Sequence, residues 1–313
     1  MSKHINFIYA ADENYNKQLL ISINSLLEQF SGIANIYIIH KAPASFIHRF
    51  QEINKFDNVD QLNIYEFNES KVLFPNIEGT HISEATYYRL FVDKYIPNDI
   101  EEYVYLDADI ICLSDPHDYL RNNINTLLKS SFSFSARTEL TRDNNLDKFL
   151  KLGLSGEKYF NAGVLIVNHA KWLNENVYSE LIKHIDKIKN NIEFWDQDVL
   201  NSFFNAKYLE MDNKLNYGLD LFNNELDNNS IKKNSIFLHY QGSNKPWDIV
   251  GSTMKNSEFY NSQYYKLFGS NYHVVSKYRR GDLFKLIKII FTLKIFKIKN
   301  PFGFISSCIR SLT

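Results

Sequence analysis

Strand and helix signals alternate through the first third of the chain, and this alternation limits the fold more than any other feature. His4 to Ala10 reads as a buried strand, and Tyr15 to Phe30 carries Leu19, Leu20, Ile23, Leu26, Leu27 and Phe30 at helical spacing. Strand signals return at Ile36 to Ile39 and at Leu62 to Tyr65, with a helical stretch around Phe46 to Phe56 between them. A helix over Glu84 to Lys94 leads to the strand Tyr103 to Leu106, which stops at Asp107-Ala108-Asp109. Repeated βα units imply an α/β fold with a mainly parallel central sheet covered on both faces. Ligands of such sheets bind beyond the carboxyl ends of the strands. Two of those ends carry grouped polar residues: Ala10-Ala11-Asp12-Glu13-Asn14-Tyr15 and Asp107-Ala108-Asp109.

The second half is less regular. A strand at Gly163 to Asn168 precedes a helix over Lys171 to Lys189, followed by Trp195-Asp196-Gln197-Asp198 and a helix to Phe204. The Asn-rich stretch from Asn216 to Asn234 reads as a loop, its Asn223 to Asn234 part at the surface. A strand from Ser235 to Tyr240 leads into Gln241-Gly242-Ser243-Asn244-Lys245-Pro246-Trp247. From about Ser276 the composition changes: Lys277, Arg279, Arg280, Lys285, Lys288, Lys294, Lys297, Lys299 and Arg310 stand among Leu, Ile and Phe, with Asp282 the only acid. At 100° per residue Asp282, Lys285, Lys288 and Thr292 fall on one side of a helix, and Leu283, Leu286, Ile287, Ile290 and Phe291 on the other. That register fails after Leu293, which predicts a break or a second short helix.

Composition excludes several classes. With 35 basic against 36 acidic residues, the chain as a whole makes no case for nucleic-acid binding. Cys112 and Cys308 lack metal-ligand spacing and are too few for a disulfide scaffold, which fits a reducing compartment. The N-terminus enters a strand pattern with no signal-peptide core, and no uncharged run approaches the ~20 apolar residues of a membrane span. A cytoplasmic protein, free or held on a membrane face, is the expectation.

The strand ending in Asp107-Ala108-Asp109 is the strongest single chemical signal. Two carboxylates there suit a hard divalent cation held against a diphosphate. Paired Asp residues at strand ends are common, however, and a haloacid-dehalogenase-type phosphatase also begins its site with Asp-x-Asp after a strand. That family usually has Thr or Val two positions after the second Asp, where this chain has Ile111, and a convincing downstream Lys and acidic pair are lacking.

Six segments in order decide between these readings: Ala10 to Tyr15, His81-Ile82-Ser83-Glu84-Ala85-Thr86-Tyr87-Tyr88-Arg89-Leu90, Tyr105 to Asp109, Tyr159-Phe160-Asn161-Ala162-Gly163-Val164, Trp195 to Asp198, and His239 to Trp247. The set resembles glycosyltransferase family 8, in particular bacterial lipopolysaccharide and lipooligosaccharide galactosyl- and glucosyltransferases, from about residue 4 to 268. The resemblance implies a Rossmann-like GT-A fold in a catalytic domain of residues 1–270, followed by a basic, apolar segment of residues 271–313. It further implies that Asp12 and Asn14 bond uracil and ribose, that Tyr15 stacks on the base, and that Ala10 and Ala108 flank them in the donor site. Arg89 would meet donor phosphate or sugar oxygens. Asp107, Asp109 and His239 would hold Mn2+, with Mg2+ the alternative, since an imidazole beside two carboxylates shifts preference toward Mn2+. Gly242 would let the backbone approach the diphosphate and Lys245 would supply a charge to it. Asn161 and Ala162 would line the sugar pocket, Asp196 would bind sugar hydroxyls, and Gln197 would sit beneath the anomeric carbon. Read alone, Tyr15 is an ordinary first-turn aromatic, Arg89 a surface arginine and His239 a structural histidine.

The implied reaction is retaining transfer of galactose or glucose from a UDP-hexose, with α-linkage, to a lipid-linked oligosaccharide. In relatives an acid often lies near the end of the strand around Phe132 to Ala136, where this chain has Arg137-Thr138, so the sugar is left open. The basic tail is expected to lie on the cytoplasmic face of an inner membrane, its lysines on anionic lipid; a helix packed on the body with a solvated basic face is the other reading. The competing functions are a non-catalytic membrane-associated glycan-binding protein on the same fold and the Asp-x-Asp phosphatase.

Overall fold

The computed structural model describes residues 4–69, 74–75, 83–222, 226–270, 272–276 and 279–312. His81 and Ile82 of the second motif, Asn223 of the Asn-rich stretch and Lys277 of the tail lie outside them.

The strands, in chain order, are β1 (His4–Ala11), β2 (Ile33–His40), β3 (Val59–Glu66), β4 (Glu102–Leu106), β5 (Ile110–Cys112), β6 (Phe134–Thr141), β7 (Lys158–Asn168), β8 (Leu209–Glu210), β9 (Tyr217–Leu219) and β10 (Phe237–Tyr240). Seven of them form one sheet in the order β3-β2-β1-β4-β7-β6-β8, and β5-β10-β9 form a small second sheet. In the large sheet the β1–β2, β2–β3, β1–β4 and β6–β8 pairs are parallel, while β7 runs antiparallel to both β4 and β6. Each central strand sends alternate residues to opposite faces, as a period of two requires. Phe7, Ile36, Ile38, Val104 and Ile166 join one core with Leu19, Leu20, Ile23, Leu26 and Leu27 of the helix Asn16–Gln29. Ile8, Ile39, Tyr105 and Leu165 join the other. Burying those five helical side chains contributes about 1.5–3 kcal/mol each, which holds the helix to the sheet.

The opposite core is covered by the segment Glu84–Lys94, which is 3-10 rather than α-helical. Ser83 caps it by accepting from Ala85 N, and Tyr88 stacks on Phe67 with ring centroids 3.6 Å apart. The helical stretch expected over Phe46 to Phe56 shrinks to short 3-10 turns and one turn of helix, Phe50–Asn54. The expected helix Lys171 to Lys189 is two, His169–Asn174 and Val177–Ile188, divided at Asn176, whose φ is 52°. The strand foreseen from Gly163 begins five residues earlier, at Lys158. Nor is the Asn-rich stretch one surface loop: it contains β9 and the helix Asn228–Asn234, and Asn216 at its start is fully buried.

The tail breaks where its register fails. Leu293 has φ 58°, separating the helix Arg279–Phe291 from a 3-10 turn Lys294–Lys297 and the helix Pro301–Leu312. Its faces differ from expectation. Asp282 is buried, bonded to Ser276 Oγ and Lys285 Nζ, both at 3.0 Å. Leu286 and Ile289 turn inward with Ile295, Ile298, Phe304 and Cys308 against Tyr272 and Ile249. Leu283, Phe284, Ile287, Ile290 and Phe291 point outward, as do Leu293, Phe296, Phe302 and Ile309. Which face is covered cannot be inferred from the helical period alone; the body, through Ile249 and Tyr272, decides it.

Candidate active site

The pocket opens at the carboxyl ends of β1 and β4. It is lined by Ala10, Ala11, Tyr15, Ser83, Ala85, Thr86, Arg89, Tyr105, Asp107, Ala108, Asp109 and Lys245. At the first strand end, Asp12 caps the 3-10 turn Glu13–Tyr15, its Oδ1 accepting from Asn14 N at 2.9 Å. Its Oδ2 accepts from Ser83 Oγ. The turn leaves Asn14 exposed at the rim, while Tyr15 packs edge-on against Trp247, centroids 6.0 Å apart.

At the second end, Asp107 N–H donates to Gly163 O at 2.9 Å, and the chain turns through Asp109 into β5. β5 pairs antiparallel with β10, placing His239 opposite Ile110. This pairing carries the imidazole to the two carboxylates across more than a hundred residues of sequence. One ligand atom each from Asp107, Asp109 and His239 lies within 4.8 Å of the other two. His239 Nε2 is 3.3 Å from Asp109 Oδ1, a buried oxygen that accepts no hydrogen bond. Two hard oxygen donors and one imidazole, with an unsatisfied carboxylate oxygen facing inward, fit a divalent cation of the Mn2+ type. Gly163 makes room for the ring: a Cβ there would lie 2.3 Å from His239 Cε1.

Cations already balance these acids. Lys245 Nζ donates to Asp109 Oδ2 at 2.8 Å and to Tyr240 O at 2.6 Å. Burial opposes the Asp109 charge, but Lys245 and His239 together hold its carboxyl below the usual range. Arg89, expected to meet donor oxygens, is buried between acids: Nη2 is 2.8 Å from Asp107 Oδ1 and Nε 2.7 Å from Asp196 Oδ2. Nη1 donates to Ala162 O, and the guanidinium lies over the Tyr105 ring. Burial works against that cation, yet Asp107 and Asp196 hold it protonated well above its ordinary range. Burial also raises the Asp107 carboxyl, despite Arg89. It pushes Asp196 up to about 7, an increase that Arg89 limits and the nearby Asp107 adds to.

The remaining predicted residues lie around this centre. Gly242, with φ 76°, occupies an exposed turn after β10, a conformation that favours glycine. Gln197 opens the helix Trp195–Phe204; its Oε1 accepts from Ala162 N at 3.0 Å and its Nε2 donates to Glu139 Oε2 at 3.0 Å. Asn161 Nδ2 donates to Glu139 Oε1 at 3.2 Å. Glu139, directly after Arg137-Thr138 in β6, therefore supplies an acid in that region. Asp198 is wholly buried and satisfied by Tyr159 OH, Lys148 Nζ, Glu193 N and Phe194 N, so it anchors the helix start. Sequence reasoning missed Ser83 and Tyr105 as site residues, although both stood inside quoted motifs. It missed Asn216 because the surrounding asparagines pointed to a loop.

The seven-stranded sheet, with its pocket beyond the ends of β1 and β4, is the fold of the GT-A class. The galactosyltransferase LgtC, solved with donor and acceptor sugar analogs, superimposes with a TM-score of 0.67 over 89% of this chain and 100% of that chain, at 21% identity. Residues 6–250 match the glycosyl transferase family 8, and the chain belongs to that family. Lipopolysaccharide glucosyltransferase WaaO of Escherichia coli is 29% identical over 78% of this chain and 72% of the relative. Lipopolysaccharide 1,3-galactosyltransferase of Salmonella typhimurium is 30% identical over 54% of this chain, an alignment that spans 50% of the relative.

Proposed function

We propose that the chain is a metal-dependent retaining hexosyltransferase, moving galactose or glucose from a UDP-sugar to a lipid-linked oligosaccharide of the lipopolysaccharide type. The observation that carries this reading is the convergence of His239 on Asp107 and Asp109, two carboxylates that line one pocket with Tyr15, Lys245 and the Asp12 partner Ser83. A divalent cation held by the three would neutralise charge on the departing diphosphate. Asp12 and Asn14 would bond uridine, Tyr15 would cover the base, and Lys245, already within the pocket, would pass from Asp109 to a diphosphate oxygen. Arg89, held by Asp107 and Asp196, would keep its fixed charge on the sugar side. No strong nucleophile stands at Gln197, since an amide is a poor one. In the proposed step the bond from anomeric carbon to phosphate breaks while the acceptor oxygen bonds on the same face. The acceptor proton passes to the departing phosphate, and Gln197 stabilises the cationic sugar. Trapping a sugar covalently on the enzyme would contradict this course.

The tail adds a second part to the reading. Among the described residues no helix is long and apolar enough to cross a membrane. Phe291 and Phe302 are each 83% exposed, among lysines, on a segment whose other face packs against the body. Outward apolar residues with basic neighbours suit the headgroup region of an anionic membrane, where a lipid-linked acceptor resides. Residues 271–313 would thus act as a peripheral anchor on the cytoplasmic face.

The test is UDP release from UDP-galactose, UDP-glucose and UDP-N-acetylglucosamine, each with Mn2+ and without acceptor. Slow hydrolysis of one hexose donor, lost with chelator and in Asp109→Ala, is expected. UDP-independent phosphatase activity would favour the Asp-x-Asp phosphatase. Absence of both hydrolysis and UDP binding would favour the glycan-binding protein.

A further inference from the structure

A chain of hydrogen bonds, buried on the His239 side, joins the two sides of the site, and backbone groups determine its direction. Gly163 N–H donates to Asn161 Oδ1 at 3.0 Å, so that amide turns its oxygen to the backbone and its nitrogen to Glu139. Since Asn161 Oδ1 only accepts, Asn216 must present its NH2 group to it, at 2.9 Å. The Asn216 carbonyl oxygen is then the atom facing His239 Nδ1, at 3.0 Å. An amide oxygen cannot donate, so Nδ1 carries the proton. The lone pair of the neutral ring is left on Nε2, the nitrogen that faces Asp109 Oδ1 at 3.3 Å. At the other end Ala162 N–H donates to Gln197 Oε1 and thereby turns the Gln197 nitrogen to Glu139. Glu139, accepting at both oxygens, completes the connection.

We propose that Asn216 is the positioning residue of His239, holding it as the Nδ1–H tautomer with the Nε2 lone pair turned to the two carboxylates for a divalent cation. The inference rests on the metal reading above. Its source is the anchoring of Asn161 and Gln197 by backbone N–H groups, with Asn161 in turn setting Asn216, which leaves no alternative amide orientation that satisfies the whole chain. Asn216 is fully buried and reaches the cation site only through the imidazole. A metal-ligating histidine generally takes its orientation and tautomer from such a partner. The same chain ties the orientation of His239 to that of Gln197, so metal ligand and sugar-side amide are set by adjacent peptide groups, Ala162 and Gly163.

Two measurements on the full chain test this. In two-bond 1H–15N spectra at pH 8, without metal, His239 should show a protonated Nδ1. By calorimetry, Asn216→Leu, which removes the acceptor, should weaken Mn2+ binding about 10–100-fold. Asn216→Asp still accepts from Nδ1–H, though it loses the donor to Asn161, and should bind Mn2+ more tightly than Asn216→Leu, a partial rescue that a merely space-filling role would not produce. An Nε2–H tautomer, or Mn2+ affinity unchanged in Asn216→Leu, overturns the proposal. Should Asn216→Leu fail to fold, the spectrum still decides it. If the unmodified protein binds no divalent cation, the metal reading fails, and the spectrum alone judges the role of Asn216.

Discussion

Gly163 shows how much of the site depends on one missing side chain. Its carbonyl receives Asp107 N–H, its own N–H orients Asn161, and its bare Cα admits the His239 ring. Gly163→Ala is expected to displace the imidazole, weaken Mn2+ binding at least tenfold and destabilise the fold by about 1–3 kcal/mol. Calorimetry with a thermal melt measures both; an alanine variant that binds Mn2+ normally would refute the account of the close approach. The grouping of Asp107, Asp109 and His239 was legible in sequence because each falls in a short motif at a strand end. Asn216 and Glu139 were not. Their roles arise from register between β6, β7 and β9–β10, and from local irregularity in β6, neither of which leaves a periodic trace. Arg89 was legible as a functional position but not as a buried bridge between Asp107 and Asp196, because burial of a cation depends on partners distant in sequence.

At the scale of elements, the parallel strands β1, β2 and β4 were legible from alternation, and so was the helix Asn16–Gln29. The 3-10 character of Glu84–Lys94 was not, since three- and four-residue spacings look alike over eleven residues. Near the end of this segment Asp93 meets the helix His169–Asn174, its Oδ1 3.8 Å from His169 Nε2. Burial pushes the Asp93 carboxyl up to about 7, and burial also holds His169 below its ordinary range, so the imidazole supplies little countercharge. Unfolded Asp releases its proton near pH 3.9, whereas the folded carboxyl keeps it to about 7. The folded state therefore binds more protons in between, and stability falls as pH rises from about 4 to 7. Asp93→Asn should raise stability by on the order of 2–4 kcal/mol at pH 8 and little at pH 4. Equal melting shifts at both pH values would contradict that cause.

On the scale of the whole molecule, a sheet that gathers two strand ends into one pocket carries a tail with an inward and an outward apolar face. The inward face packs on Ile249 and Tyr272, while Phe284, Phe291 and Phe302 of the outward face are exposed. Joint substitution of Phe284, Phe291 and Phe302 by Ser should leave the melting temperature nearly unchanged and abolish sedimentation with anionic vesicles. Unchanged vesicle binding would leave the tail as a packed helix pair with a solvated face. The central proposal concerns the pocket, where Asp107, Asp109 and His239 would bring a cation and a uridine diphosphate together. Titrating UDP into the protein with Mn2+, with chelator, and with Asp109→Ala tests it most directly. Binding that requires both Mn2+ and Asp109 is the predicted result; UDP bound equally well with chelator, or not at all, would contradict it.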